Sequence, residues 1–468
     1  MNKISKNIEA TNKALAGAFG DSFDIVRREI TDFRGTKMTV VFSDGLVDKE
    51  LISDNIIRPL LGYGLMKRDR DKRAGTAERI RESIISAVDV KDEADMDNAI
   101  HGVLSGDTAV FADGEETCFI AQTRKWQFRG ISEPDTQQTV RGPKEGFTET
   151  LLFNAAMLRR KIKNRRLVME MMRVGSVTKT DVCLAYIKGA VSDELLFEVR
   201  RRISGIKTKG ILESADIEQQ AGDSRFFATA AANEKPDVVA AKLMKGRVAV
   251  IVDGSPFVLT VPMLFAENFQ SAEDYYIQPV FANILRALRY FAYGLTLLLP
   301  ALYVALLTYH KELIPPPLLN VLQAAVSSVP IPIFWEMAMM LVLYEMLKEA
   351  VVRLPRQVGS TVSIVGVLII GEVAVGVNMI GAPSVVIAAA SYIASALTGA
   401  AHDSTSVLRF IFLALAGLFG LYGVATGFAA LVLRLCSEES FGFPYMMPIA
   451  PFKRGDIKKL IWREGGHR

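Results

Sequence analysis

The sequence predicts an α+β cytosolic N-terminal region built of two similar lobes, followed by an α-helical multi-span membrane domain. Three observations carry this expectation. Lys, Arg, Asp and Glu crowd the first 289 positions and then nearly vanish over long stretches. Two motifs of the charged region each occur twice in it. From residue 290 onward come windows of about 20 apolar residues, the length that a bilayer core asks of a helix. The 468 residues are too many for one ordinary domain, and a mean hydropathy of +0.24 is high for a soluble chain. Composition divides the chain into a helical extension (1–36), a first lobe (37–150), a basic helical linker (151–177), a second lobe (178–280), a transmembrane helical domain (281–436) and a basic tail (437–468).

The N-terminal stretch MNKISKNIEATNKALAGAFGDSF holds no apolar core of signal-peptide length, so the following region is expected in the cytosol. The lobes are read from repeats. VVFSDGLVDKELI (40–52) matches LAYIKGAVSDELL (184–196), with Gly45 on Gly189, Val47 on Val191, Glu50 on Glu194 and Leu51 on Leu195. In each copy β-rich residues run into a glycine and then into an acidic helix start, the pattern of strand, turn and helix. DTAVFADGEETCFIAQT (107–123) matches GRVAVIVDGSPFVLTVP (246–262), with Asp113-Gly114 on Asp253-Gly254. Asp-Gly between β-rich runs predicts a hairpin whose two central residues take positive φ. Between the lobes, Arg159, Arg160, Lys161, Lys163, Arg165 and Arg166 form a basic helical stretch. It suits anionic headgroups or a phosphate-rich partner, and it equally suits the solvated face of an interlobe helix.

Four windows carry the membrane expectation: 290–309, 361–381, 382–401 and 410–433. A fifth, IPIFWEMAMMLVLYEMLKEA (331–350), follows Pro315-Pro316-Pro317 and holds Glu336, Glu345, Lys348 and Glu349. It reads as a polar-lined span, a re-entrant element or an interfacial helix. Gly366, Gly371 and Gly376, and Gly423 with Gly427, predict close helix packing, because small residues let backbones approach in lipid. Lys348, Arg353 and Arg356 favour the cytosolic side, as do the tail's Lys453, Arg454, Lys458, Lys459 and Arg463, so an even number of spans with both termini cytosolic is expected.

Inside this region Glu372 stands out, with no other charge for a dozen positions on either side. A carboxylate in hydrocarbon costs several kcal/mol unless it is paired, neutralised or faces water, so Glu372 is a pore or gating candidate, with a hydrogen-bonded structural Glu as the bland reading. Glu336, Glu345 and Glu349 are further candidates. For Glu345 and Glu349, one turn apart beside Lys348, a salt-bridge cluster at the membrane edge accounts equally well.

The remaining chemistry is sparse. A net charge of +4 is too slight to argue for nucleic acid. Cys118, Cys183 and Cys436 form no metal or disulfide pattern and read as reduced packing residues. His101, His310, His402 and His467 are isolated in sequence. No Walker A loop, GxSxG, HExxH or GxGxxG after a strand occurs, so neither an enzyme nor a cofactor is expected.

Seven blocks in order resemble the A subunits of GerA-type spore germinant receptors, a family that includes the stage V sporulation protein AF paralogue. They are DGLVDKELISDNIIRPL (44–60), VLSGDTAVF (103–111), VRGPKEGFTETL (140–151), GRVAVIVDGSPFVLTVP (246–262), SAEDYY (271–276), RLPRQVGSTVSIVGVLIIGEVAVG (353–376) and FGFPYMMPIAPFKRGDIKKLIWR (441–463). The resemblance implies a protein of the spore inner membrane that acts with B and C partner subunits to sense nutrients and trigger germination. It also implies a homo-oligomer around a pore that releases monovalent cations. A secondary transporter and a non-conducting scaffold are the alternatives; no internal repeat of interrupted helices, the mark of the transporter, is visible.

Overall fold

The computed structural model describes residues 3–32, 35–61, 89–125, 137, 139–354 and 369–452. The chain divides into two compact units, 1–222 with 229–262, and 223–228 with 263–468.

The first unit holds two lobes of one topology. In the first are α1 (Ile8–Phe19), β1 (Ile25–Thr31), β2 (Lys37–Ser43), α2 (Lys49–Ile52), β3 (Val90–Glu93), α3 (Met96–Leu104), β4 (Thr108–Ala112) and β5 (Cys118–Ala121). In the second are α4 (Leu151–Lys161), β6 (Leu167–Val174), β7 (Thr180–Ile187), α5 (Asp193–Ser204), α6 (Ser214–Ala221), β8 (Ala231–Asn233), α7 (Pro236–Met244), β9 (Val248–Val252) and β10 (Val258–Val261). The sheets run β1-β2-β4-β5-β3 and β6-β7-β9-β10-β8, antiparallel throughout. Strands β1 and β6, from the stretches read as extension and linker, are thus edge strands of these sheets. Charged side chains such as Arg27, Arg28 and Glu29 of IVRREIT are what an exposed edge strand carries.

Both faces of each sheet are covered, which is why β2, β4 and β9 read as nearly continuous apolar runs. In the first lobe Val40, Val110 and Phe119 pack with Ile52 and Ile56 on one face. Val41, Phe111 and Cys118 pack with Leu15, Phe19, Ile100 and Val103 on the other. Helices α4 and α7 cover one face of the second sheet through Leu158, Val239 and Leu243.

The repeated motifs occupy equivalent places. Gly45 and Gly189 have φ of +83° and +84°, and Asp48 and Ser192 cap the helices that follow. At Gly45 glycine is also sterically required, since a Cβ would come within 2.9 Å of Ala156 Cβ. The Asp-Gly pairs do join hairpins, but not as the tight turn expected. Only the glycines have positive φ, and the loops run from Asp113 to the start of β5 and from Asp253 to the start of β10. The aspartates are engaged elsewhere: Asp113 Oδ1 accepts from Ile8 N and Asp253 Oδ1 from Leu151 N, each at 3.0 Å. Each therefore satisfies an orphan N–H at the start of its own lobe's first helix.

The second unit is helical: α8 (Pro279–Tyr309), α9 (Pro316–Ser327), α10 (Ile333–Arg353), α11 (Ala382–Ser395) and α12 (His402–Ser437). Among the described residues α8 is long and apolar enough to cross a membrane, and α12 matches it in length and composition only when its 36 residues are counted across a break at Gly420. The window 410–433 is not one straight helix. Gly420 has φ +60° and ψ −140°, and the chain folds back there, so that a Cβ on Gly427 would lie 2.7 Å from Leu415 Cδ1. α12 is thus a helical hairpin whose arms, at 1.5 Å per residue, are each about 25 Å long. Its tip meets Tyr309 and His310 at the end of α8. Its far end leads into the small hairpin of β11 (Glu439–Ser440) and β12 (Phe443–Pro444), which returns to the start of α8, with Met263 N donating to Ser440 Oγ and Phe265 N to Tyr445 O. The helical run therefore begins and ends at one end of its own bundle. Gly366, His467, the tail from Lys453 and the first part of the 361–381 window lie outside the described residues.

Candidate functional site

Glu336 sits in the first turn of α10 with no exposed surface. Helix α11 starts at Gly381, which has no side chain to cap it, and the Glu336 carboxylate takes that place: Oε1 accepts from Gly381 N at 2.5 Å. An anion there also complements the helix dipole. Close by, Tyr303 of α8 and Ser384 of α11 share a hydrogen bond of 3.1 Å.

Glu345, two turns further along α10, lies between two cations, Lys348 Nζ at 2.6 Å and Arg409 Nη2 at 2.5 Å. Arg409 comes from the first arm of α12, is buried, and also reaches Ser391 of α11. Lys348 Nζ donates to His402 Nε2 at 3.1 Å. An ammonium has only donors, so Nε2 is the acceptor and the Nδ1 proton goes to the Ser395 carbonyl, also at 3.1 Å. Three helices are thereby tied by a charge cluster with one more cation than anion. Sequence reading found Glu345 and Lys348 but missed Arg409, 64 residues away, and His402, which looks isolated in sequence. The one available signal was an arginine placed directly before an apolar window.

The other candidates are placed differently. Glu349 pairs with Arg353 one turn on, at the surface. Glu372 is exposed in a wide helical turn, Ile369–Val373, beside exposed Val373, Val377 and Met379. Among the described residues no atom lies within 4 Å of a Cβ added at Gly371 or Gly376. At Gly423 an added Cβ would collide with the Leu415 carbonyl oxygen.

The basic stretch 159–166 is largely committed to pairs within the first unit. Arg159 and Asp24, each about 1% exposed, form a bidentate ion pair that joins the lobes; Arg159 also donates to Ser22 Oγ and the Leu167 carbonyl. Arg160 and Lys161 meet Glu145, and Arg165 meets Asp97. Arg165 and Arg166 line a cleft of about 900 Å³ between the lobes, with Phe19, Glu170, Lys188 and Arg200 among its other walls. Arg200 donates to Glu170 through Nη2 at 2.6 Å, and that carboxylate raises the pKa of the guanidinium; burial raises that of Tyr186, whose hydroxyl accepts from Arg200 at 3.0 Å. The lining is mixed in charge, since Asp21, Glu170 and Asp193 stand beside Arg165, Arg166, Lys188 and Arg200. Cys118 and Cys183 are buried free thiols, and burial pushes Cys118 up to about 12. Among the described residues no group of His, Cys, Asp and Glu is arranged to hold a metal.

A two-lobed α+β unit joined to a helical unit with long apolar helices fits a membrane protein. The chain belongs to the Bacillus/Clostridium GerA spore germination protein family, whose model matches residues 13–465. It is 41% identical to spore germination protein KA of Bacillus subtilis (strain 168), over 98% of this chain and 84% of that protein. It is 33% identical to spore germination protein GerLA of Bacillus cereus, over 98% and 94%. Stage V sporulation protein AF of Bacillus subtilis (strain 168) is 27% identical over 95% and 88%. Among solved structures, the N-terminal domain of the A subunit of the Bacillus megaterium spore germinant receptor GerK3 aligns with a TM-score of 0.44 at 32% identity, covering 56% of this chain and 97% of that one. Membership of the family supports a role in spore germination.

Proposed function

We propose that the chain is the membrane subunit of a nutrient germinant receptor. In this reading it assembles with copies of itself and with B and C partner subunits around a cation-conducting path in the spore inner membrane, its lobes in the cytosol. The observation that carries the reading is Glu372: in the single chain its carboxylate is exposed among exposed apolar side chains. Facing lipid there would cost several kcal/mol, whereas facing water enclosed by neighbouring copies would not. Among the described residues nothing crowds Gly371 or Gly376, which suits close approach by such copies. Glu336 and Glu345 fit a different part in it, as the anions that fix the register of α10, α11 and α12.

Cation flux through the purified oligomer in liposomes tests the reading. Glu372→Gln and Glu372→Ala are expected to lower flux and to slow nutrient-triggered germination. Unchanged flux and germination in both variants would remove Glu372 from the path. A sporulation-stage paralogue assisting germination is the second reading, favoured by the likeness to stage V sporulation protein AF. Deletion of the gene, followed by germination with single nutrients, separates the two.

A further inference from the structure

Six residues of the α+β sequence pack with the helical unit. The chain leaves the second lobe after α6, runs through Asp223–Ala228 as part of the helical unit, and returns to the lobe to form β8. This strap is anchored at two points. Asp223 Oδ2 accepts from Phe441 N at 2.6 Å. Phe227 is buried in a cluster with Leu297 of α8, Leu431 and Leu435 of α12, and Tyr445. Ser224 Oγ accepts from the amides of Phe226 and Phe227, both at 3.2 Å, and so turns the strap to present the buried ring.

The anchor points are not ordinary surface. Phe441 has φ +50° and, with Gly442, forms the tight turn between β11 and β12. A left-handed conformation is strained for a non-glycine residue, so the turn leans on contacts from outside itself, and the Asp223 carboxylate supplies one. Tyr445, about 1% exposed, is the hub. Its ring meets those of Phe227 and Phe265, and its hydroxyl accepts from Asn268 Nδ2 at 3.0 Å. The strap, the approach to α8 and the exit from α12 therefore converge on one aromatic node.

We infer that the strap is a mechanical coupling, separate from the peptide connection at Pro262–Met263, by which displacement in the second lobe reaches the first and last helices together. The strap follows α6 and precedes β8, so a shift of either pulls on Asp223 or Phe227. The pull meets α8 through residues 263–269 and α12 through residues 438–446. Asp223 and Phe227 act as positioning residues. The signalling part rests on the receptor reading above; the mechanical part does not.

Backbone hydrogen exchange in the full-length chain in lipid nanodiscs tests the coupling. Asp223→Ala and Phe227→Ala are expected to speed exchange about tenfold in both residues 439–445 and strand 231–233. Asp223→Asn, whose amide oxygen still accepts from Phe441 N, is expected to stay near wild type, and Phe227→Leu to fall between. Acceleration confined to one side of the strap, or equal loss in Asp223→Asn, overturns the inference. In spores with wild-type levels of the protein, Asp223→Ala is expected to slow nutrient-triggered germination about tenfold and Asp223→Asn to restore it. Unchanged germination alongside coupled exchange overturns the signalling role. That failure is distinct from failure of the receptor reading, which shows as unchanged flux in the Glu372 variants.

Discussion

Asp24 and Arg159 form the kind of pair whose halves are costly to separate, because a lone buried charge keeps its desolvation penalty and loses its partner. Asp24→Asn is expected to lower unfolding stability by about 3–5 kcal/mol, read by chemical denaturation followed by signals from the lobes. Arg159→Met in the same background should recover part of that loss. A second prediction concerns acid. Arg202 beside Glu198 holds that carboxyl below its usual range, and Lys125 does the same for Asp48. Groups with a lowered folded pKa bind protons more readily in the unfolded chain, so their contribution is present above about pH 4 and is lost as pH falls through the folded value. Glu198→Gln should therefore flatten the decline of melting temperature below pH 4 and leave the slope near pH 7 unchanged. Arg159 shows why residue roles were only half legible in the sequence. Its basic neighbours made it look like part of a surface patch, while its acidic partner lies in the first lobe, 135 positions earlier. Arg409 was hidden in the same way, since ion pairs between distant segments leave no local spacing to read.

Elements were legible where a local rule governs them. Gly45 and Gly189 disclosed the repeat because a left-handed turn before a helix cap favours glycine, and chain sterics impose that wherever the fold recurs. Edge strands β1 and β6 were not legible, since their charges matched the composition of an extension and a linker. Nor was the hairpin in α12: hydropathy registers apolar length, and Gly420 is one of several glycines in an uncharged window. Its φ of +60° with ψ −140° is a conformation that side chains rarely accept, and a Cβ would come within 2.9 Å of His310 Cε1. Gly420→Ala should cost at least about 1–3 kcal/mol in the thermal stability of the detergent-solubilised protein. Gly17→Ala, in the open face of α1, should instead stabilise the lobes by up to about 1 kcal/mol. Between helices, Glu345→Gln and Arg409→Met should be non-additive, with a coupling of about 0.5–3 kcal/mol in a double-mutant cycle.

For the whole molecule, the separation into a charged two-lobed unit and an apolar helical unit was plain in composition, because water and lipid demand opposite surfaces. What composition alone did not disclose is that the helical run begins and ends at one end of its bundle. The central claim is that this unit lies in lipid with Glu372 turned toward an aqueous path between copies. Thiol accessibility tests it most directly, using the assembled full-length protein in liposomes with exposed Cys436 replaced by Ser; Cys118 and Cys183 are buried and stay silent. A membrane-impermeant thiol reagent is predicted to modify Glu372→Cys and to spare Phe428→Cys, which is exposed on the second arm of the α12 hairpin and would face lipid. Protection of Glu372→Cys to the same degree as Phe428→Cys would contradict the account, as would rapid modification of both.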